Sequence, residues 1–219
     1  MTPFSKTDQN RLKRKPERGH YDRETIYQIL DEAFICHVGF VENKQPYVIP
    51  INFARVGDSI LLHGAKASRL LKHIGDGHPV CVEVTLVDGL VLARSVFHHS
   101  LNYRSVVLFG TGRLVEEAQE KIMALEAIAE HIIPGRWREA RLPNSKELNA
   151  TSVVSISIDQ ASAKVRSGPP IDDEVDYALP IWAGVLPLLE MPLLPVRDEL
   201  MTQDIATPGS VTKYSRKRK

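Results

Sequence analysis

The chain has 219 residues, of which 43% are hydrophobic and 25% are charged, a balance that is typical of globular proteins and excludes wholesale disorder. Its 28 Lys and Arg residues against 27 Asp and Glu residues leave a net charge of +1, which provides no general attraction to nucleic acid or to an anionic membrane. The length is sufficient for one or two domains with a sizeable core.

Both ends of the chain carry short basic runs, RLKRKPER at 11–18 and YSRKRK at 214–219. We interpret them as solvated tails, because Lys-rich runs match nucleic-acid and localisation signals too often by chance. The sequence therefore predicts a basic N-terminal tail over 1–19, one domain over 20–195 and a flexible C-terminal tail over 196–219.

The composition of the N-terminus favours a cytoplasmic protein, since it has no apolar core typical of a secretory signal. The longest apolar stretch, 177–196, is interrupted by four prolines and one glutamate, so it cannot form a membrane-spanning helix. We expect it to be an extended strap packed on the domain. Cys36 and Cys81 lie in apolar runs and are expected to be free thiols in a reducing compartment.

The first predicted element is a helix that Asp22 caps and that ends near Ala33. The periodicity then changes to two, and the residues become aromatic and β-branched. This pattern predicts strands over 34–41, 47–56 and 59–63, separated by turns of hairpin length. A short helix over 68–74 and an alternating strand over 80–86 follow.

Asp88-Gly89 is typical of a tight turn, and the sequence places a short strand over 90–93 after it. A long strand is predicted over 103–115, in which Gly110 and Gly112 suit a bend or bulge. The remaining elements are the longest helix and two strands, at 117–133, 152–158 and 163–166. About six strands with inserted helices predict a mainly β, α+β fold, an antiparallel β-barrel with peripheral helices.

The run His63-Gly64-Ala65-Lys66-Ala67-Ser68-Arg69 joins a predicted strand to a predicted helix. Ser68 suits the N-cap of that helix, and Lys66 and Arg69 add two cations beside it. Such an arrangement can bind a phosphate or a carboxylate. The alternative is an ordinary capped helix with solvated surface charges.

The run SVFHHSLNYRS at 95–105 contains adjacent histidines, His98 and His99. Consecutive residues of a strand point to opposite faces, and no Cys or carboxylate lies at a ligand spacing, so we predict no metal site. Tyr103 and Arg104 can stack on and pair with a planar anion. The alternative is an exposed rim pair on the strand.

The sequence offers little for nucleophilic catalysis, because it has no GxSxG motif and neither cysteine lies in an electropositive context. Glu83 faces away from the apolar side of its predicted strand, and no second carboxylate accompanies it at a recognisable spacing. An enzyme with this sequence would therefore take its chemistry from a cofactor.

Six sequence blocks in this order resemble the pyridoxamine 5′-phosphate oxidase-like flavoproteins, and within them the nitroimidazole-resistance-like branch. The blocks are YVIPINFAR, LLHGAKASRLLKHI, VCVEVT, NYRSVVLFGTGRLVE, SAKVRSGPPID and PIWAGVLPL. The resemblance covers about residues 11–190. It implies a six-stranded antiparallel split β-barrel with Greek-key character, and a homodimer with two FMN sites at the subunit interface.

The resemblance also implies roles for individual positions. The strand segment Pro50, Ile51 and Asn52 would lie along the flavin ring, and the turn from His63 to Arg69, Ala67 included, would bind the FMN phosphate. Lys66, Ser68 and Arg69 would hold that phosphate. The oxidases proper carry Ser-Arg-Lys in this turn, whereas here Leu70 follows Arg69, so Lys66 or Lys72 would supply a second cation.

Two further segments would complete the flavin site by this resemblance. Asn102, Tyr103, Arg104 and Ser105 would reach the flavin of the partner subunit, and Trp182 would lie near the rim of the ring. The Arg-x-His substrate motif of true pyridoxamine 5′-phosphate oxidases is absent after Trp182. We therefore expect the chain not to oxidise vitamin B6 phosphates.

The expected function is that of an FMN-dependent oxidoreductase, with NADH or NADPH as donor and a small planar compound as acceptor. Two alternatives stay open. One is a flavin-binding carrier or sensor without turnover. The other is a haem-handling split-barrel protein that uses His63 or the pair His98-His99 as an axial ligand.

Overall fold

The computed structural model describes residues 2–215. Its strands are β1 Gly19–His20, β2 Ile35–Glu42, β3 Gln45–Val56, β4 Ser59–Ala65, β5 Val80–Leu92, β6 Ser100–Gly110, β7 Gly112–Leu114, β8 Thr151–Ser157, β9 Gln160–Arg166 and β10 Gly184–Pro187. Its α-helices are α1 Arg23–Glu32, α2 Arg69–Gly75, α3 Ala118–Ile132, α4 Arg136–Glu139, α5 Ser145–Ala150 and α6 Gly209–Thr212. Three 3₁₀ turns lie at Pro16–Arg18, Val96–His98 and Glu174–Ala178.

The strands form an antiparallel sheet in the order β1-β9-β6-β5-β2-β3-β4-β8-β7, with β10 added to β5. β6 and β7 follow one another across Thr111; β6 pairs with β5, and β7 pairs with β8. Six strands thus surround the core: β2, β3, β4, β8, the β7–β6 pair and β5. The strand order itself stays open at β1 and β7, so the mainly β, split-barrel class is confirmed.

The long strand predicted over 103–115 is interrupted at Thr111, where the two flanking glycines make close contacts. A Cβ on Gly110 would lie 1.9 Å from the carbonyl oxygen of Ser157, and one on Gly112 would lie 2.2 Å from Cγ2 of Ile74. The expected bend is therefore confirmed, and its cause is that β8 and α2 approach the backbone where only glycine fits.

The prediction of a tight turn at Asp88-Gly89 is wrong. β5 continues to Leu92 through a register shift between Val87 and Gly89. β6 pairs with one side of this part of β5 and β10 with the other, so the chain stays extended. The Asp-Gly pair forms a β-bulge there rather than a hairpin turn.

The predicted helices are confirmed, with ends that differ by one residue from those expected. Asp22 Oδ1 accepts a hydrogen bond from the Thr25 amide at 2.7 Å, and the Ser68 hydroxyl accepts one from the Leu71 amide at 3.4 Å. Glu117 caps the longest helix, α3. Polar caps of this kind satisfy amides that have no partner within the helix.

A smaller apolar cluster beside the main core decides where the site forms. It contains Leu61 of β4, Val153 of β8, and Ala124 and Ile128 of α3. α3 therefore packs over β3, β4 and β8. This packing places one face of α3 next to the end of β4, the strand that carries His63.

The N-terminal segment expected to be a tail lies against the domain. Phe4 is 6% exposed and belongs to the main core, and the buried Asn10 donates from its side-chain amide to the carbonyl of Ala161. Near the other end, Ser210 of α6 packs against Glu139. The final residues of the basic C-terminal run, 216–219, lie outside the described residues.

The apolar stretch 177–196 is extended, as expected, beyond the 3₁₀ turn that ends at Ala178, and its β10 segment pairs with β5. Beyond Pro187 the strap has no regular secondary structure, and most of its apolar side chains are exposed. Among residues 2–215, no helix is long and apolar enough to cross a membrane.

Candidate functional site

The first half of β3 has one unpaired edge. Pro50, Ile51 and Asn52 pair with β2, but the pairing of β3 with β4 begins only at Phe53. Within the described part of the chain, no other strand pairs with the second edge of this segment. Backbone groups along this edge are consequently available to a ligand, and the flavin role that the resemblance implied for these three residues stays a prediction.

The predicted phosphate turn joins β4 to α2. The amide of Lys66 donates to the carbonyl of Ala150 at 3.3 Å, and the amide of Ser68 donates to that of Ala65 at 2.9 Å. Arg69 is not simply solvated: its Nε lies 3.2 Å from Glu42 Oε2, and its guanidinium lies 4.5 Å from the centre of the Tyr47 ring. The structure therefore ties Arg69 to the β2–β3 hairpin.

A cation that sequence reasoning missed, Lys121, lies near Lys66. Its ammonium donates to the carbonyl of Leu148 at 2.9 Å, in the same α5–β8 segment whose Ala150 bonds Lys66. Burial and the nearby charge of Lys66 lower the pKa of Lys121. Because Lys121 comes from α3, 55 residues after Lys66 in the sequence, only the fold could show this pair.

His63 borders a cavity of about 410 Å³ between α3 and β4. Its apolar walls come mainly from one face of α3 and from Trp137, and Asn52 and Thr151 lie at its strand side. The cavity is lined by Asn52, His63, Leu125, Ile128, Ala129, Ile132, Trp137, Arg141, Pro143, Glu147 and Thr151. The fold thus joins two predicted flavin residues, Asn52 and His63, to a wall that the sequence did not reveal.

Burial lowers the pKa of His63 from its usual value of 6.5, so the ring is neutral near pH 7. Its Nδ1 is buried and has no hydrogen-bond partner among residues 2–215. Native proteins rarely leave a buried polar atom without a partner, and such an atom often marks a ligand or functional site. His63 is therefore a neutral imidazole beside a cavity whose α3 wall is apolar.

This lowered pKa predicts a pH dependence of stability in the cofactor-free protein. Below pH 6.5 the unfolded chain binds a proton at His63 that the folded chain excludes, so the free energy of unfolding is expected to decrease as the pH falls. Urea unfolding of the parent and of His63→Leu at neutral pH and near pH 5.5 measures this effect. The variant should lose less stability; an equal loss would contradict the assignment.

Arg104 is neutralised within its own chain. Its Nε and Nη2 donate to Asp88 at 2.9 and 2.7 Å, and its Nη1 and Nη2 donate to Glu32 at 2.5 and 2.9 Å. These hydrogen bonds raise the pKa of Arg104. They also occupy all three guanidinium nitrogens, so the structure gives Arg104 a structural partnership that the sequence did not indicate.

The neighbours of Arg104 on β6 lie away from the β3 segment. Asn102 bonds Arg166 and the carbonyl of Gly168. β2 and β5 separate Tyr103 and Ser105 from β3, and three strand spacings amount to about 14 Å. One protomer therefore does not bring these residues to Pro50. Their expected contact with the flavin of a partner subunit stays a prediction.

Trp182 lies in the strap just before β10 and is 69% exposed, with its ring against Gly184. His98 lies 3.3 Å from Asp173, and His99 Nδ1 lies 3.1 Å from the carbonyl of Ser95. Residues 2–215 contain no group of three or more His, Cys, Asp or Glu side chains that could hold a metal ion.

Comparison with known proteins identifies the family. The model of the pyridoxamine 5′-phosphate oxidase family matches residues 22–165. The flavocytochrome Anf3 from Azotobacter vinelandii is 41% identical, with a TM-score of 0.89 over 95% of this chain and 97% of its own. An FAD and haem binding protein from Mycobacterium smegmatis is 36% identical, with a TM-score of 0.85 over 90% and 96% of the two chains.

A third structure is more distant. A protein from Bacteroides thetaiotaomicron described as a 5-nitroimidazole antibiotic resistance protein is 25% identical, with a TM-score of 0.54 over 67% of this chain and 86% of its own. No curated protein matches the sequence significantly. The matched family model spans most of the split barrel, and two relatives match nearly the whole chain. The chain therefore belongs to the pyridoxamine 5′-phosphate oxidase family.

Proposed function

We propose that this chain is an oxidoreductase that binds a flavin and a haem. The observation that carries the haem assignment is the neutral His63 at the cavity that α3 lines with apolar side chains. Two relatives that match nearly the whole chain support it, one described as a flavocytochrome and the other as an FAD and haem binding protein. When bound, a flavin exchanges electrons singly or in pairs and a haem exchanges them singly.

The histidine and one wall of the cavity suit a haem in their chemistry. Neutral imidazole is the form of histidine that ligates iron, and burial keeps His63 in that form. The face of α3 supplies Leu125, Ile128 and Ile132, and a volume of about 410 Å³ lies in the usual range of small-molecule sites. Arg141 and Glu147 in the same lining form an ion pair at 2.6 Å, so together they add no net charge to the cavity.

The flavin assignment rests on a different set of residues. The unpaired edge at Pro50–Asn52 presents backbone groups suited to the polar edge of a flavin ring. Lys66, Lys121 and Ser68 lie on the phosphate-turn side, where cations and a hydroxyl suit phosphate oxygens. These groups can bind and orient a flavin without any charge contributed by Arg104.

The resemblance implied FMN, whereas the 36% identical relative is described as binding FAD. We assign FAD to this chain on the basis of that relative, and we assign the phosphates to the side of the turn where Lys66 and Lys121 lie. Denaturing the purified protein and separating the released flavin by chromatography decides this point. Release of FMN alone would overturn the assignment of FAD and restore FMN.

The absorption spectrum of the purified protein tests the proposed function. We expect flavin bands and a Soret band in the same preparation, in a fixed ratio after gel filtration. Flavin bands without a Soret band, even after haemin is added, would remove the haem. Bleaching of the flavin by NADH or NADPH would distinguish an oxidoreductase from a carrier or sensor without turnover.

The proposal also covers the electron donor and acceptor, the oligomeric state and the location of the protein. We assign a nicotinamide donor, a small acceptor, a homodimer and a cytoplasmic location. Within the described residues Cys36 and Cys81 are free cysteines, and burial raises the pKa of Cys36 to about 12. Unreactive free thiols agree with a reducing compartment.

The contact between Arg69 and Glu42 predicts opposite effects of two substitutions on flavin affinity. Arg69→Ala removes a guanidinium that can bind phosphate, and a charged hydrogen bond contributes about 1.5–3 kcal/mol. Flavin binding should weaken about tenfold. Glu42→Gln releases Arg69 from its carboxylate partner and should tighten binding. Titration by fluorescence quenching measures both variants.

Riboflavin, which lacks the phosphate, is the control ligand for this pair. Its affinity should change little in either variant. The ratio of FAD affinity to riboflavin affinity could also be the same in Arg69→Ala and in the parent. Arg69 would then be a surface charge that holds the hairpin, and it would no longer be assigned to the phosphate site.

A further inference from the structure

A histidine and a glutamate lie side by side on the outer face of the sheet. His37 of β2 and Glu83 of β5 are register partners, and His37 Nδ1 lies 3.3 Å from Glu83 Oε2. The other oxygen of Glu83 accepts a hydrogen bond from the Thr85 hydroxyl. The carboxylate is thus held from two sides. It orients the imidazole so that Nε2 points away from Glu83, as in other sites where a carboxylate sets the orientation of a histidine.

This pair is adjacent to the unpaired strand segment. His37 is the register partner of Pro50 on β3, and neighbouring strands lie about 4.8 Å apart. Cys36 and Val38, the residues on either side of His37 in β2, are fully buried. His37 therefore projects from the other face of the sheet, away from the core. Its side chain is 49% exposed and that of Glu83 is 35% exposed, which leaves both open to a small molecule.

Few other charged or titratable groups face His37. β5 presents Cys81 and Thr85 beside Glu83, and β3 presents Val48, Pro50 and Asn52, none of which carries an acidic group. Glu42, at the far end of β2, is engaged by Arg69. The position of Glu83 is therefore what distinguishes His37 from an ordinary surface histidine.

The geometry points to His37 as a catalytic acid for the compound reduced on this face, with Glu83 as its positioning residue. This inference rests on the proposed function, because a reduced flavin is the source of the electrons. The acceptor takes two electrons and one proton as a hydride equivalent, and it takes a second proton from Nε2 of His37. The neutral imidazole that remains regains its proton from water.

The assignment also names the class of acceptor. A quinone or a nitro compound must take up protons as it is reduced, so an acid beside it contributes to its rate. Ferricyanide takes one electron and no proton, and it does not need His37. A comparison of these two acceptors therefore separates proton delivery from electron supply.

The test uses the full chain with its cofactors bound and the substitution His37→Gln. We expect kcat with a quinone to fall by about 100-fold, with KM little changed, while the rate with ferricyanide stays that of the parent. Glu83→Gln should reduce kcat with the quinone by a smaller factor and also spare ferricyanide. His20→Gln is the matched control, because His20 lies 3.8 Å from Asp22 in a second exposed histidine–carboxylate pair.

A second measurement needs no turnover. Diethyl pyrocarbonate modifies accessible histidine nitrogens, and peptide mass spectrometry locates the products. Bound flavin should protect His37 and leave His20 unprotected. Equal loss of rate with both acceptors, or no loss with either, would overturn the inference while the proposed function stands. A parent protein that binds no flavin would overturn both.

Discussion

His63→Leu is expected to abolish haem binding and to leave the fold intact. The substitution removes the only described histidine that borders the α3 cavity and replaces it with an apolar side chain that suits the same walls. In the proposed site His63 would be the residue that holds the iron, and the variant would offer no imidazole in its place. The purified variant should therefore lack the Soret band, and added haemin should bind at least about 100-fold more weakly, a loss of about 2.8 kcal/mol.

The control for this prediction is His98→Leu. His98 and His99 are the other histidines that the sequence offers as axial ligands, and neither of them borders the α3 cavity. The variant should keep the full Soret absorption. If His98→Leu lost the haem and His63→Leu kept it, the haem would lie at the β5–β6 connection and the α3 cavity would need another ligand.

Gly110→Ala is expected to cause the largest loss of stability of any small substitution in the barrel. A Cβ at this position would lie 1.9 Å from the Ser157 carbonyl oxygen. The backbone of β8 cannot shift away from it without disturbing the pairing of β8 with β4 and β7. Overpacking of this kind costs about 1–3 kcal/mol and sometimes more, and we expect the upper end. The free energy of unfolding in urea, measured without cofactors, gives the value.

Gly39→Ala is the matched control, since Gly39 also lies in a strand but its added Cβ would meet no atom closer than 3.6 Å. It should change the stability by less than about 1 kcal/mol. Equal effects of the two substitutions would mean that the close approach of β8 at Gly110 does not limit the stability of the barrel.

Local sequence signals were sufficient for most of the elements. The caps Asp22 and Ser68 and the glycines flanking Thr111 have local causes, a short polar side chain or a missing Cβ, and the sequence shows these directly. The turn predicted from the Asp-Gly pair at 88–89 did not form, because the conformation of this pair depends on β10. That strand lies about 95 residues later and pairs with the same stretch of β5. Tertiary pairing overrode a local turn preference there.

The site was less accessible to sequence reasoning for the same reason. His63 was identified from its own turn, but its cavity needs Trp137 and the face of α3 that begins at Leu125, 62 residues later. The sequence indicates Arg104 only as a cation that can pair with a planar anion, because its partners, Glu32 and Asp88, belong to α1 and β5. The sequence shows no partner for Glu83, because His37 lies 46 residues earlier, on a different strand.

The unpaired edge of β3 has a consequence for self-association. An exposed strand edge normally invites pairing with another chain and so promotes aggregation. Here the segment before Asn52 contains two prolines, Pro46 and Pro50, each of which lacks the amide hydrogen that a newly added strand would require. The edge can therefore serve a small ligand that needs only a few backbone groups, while it disfavours growth of the sheet into fibrils.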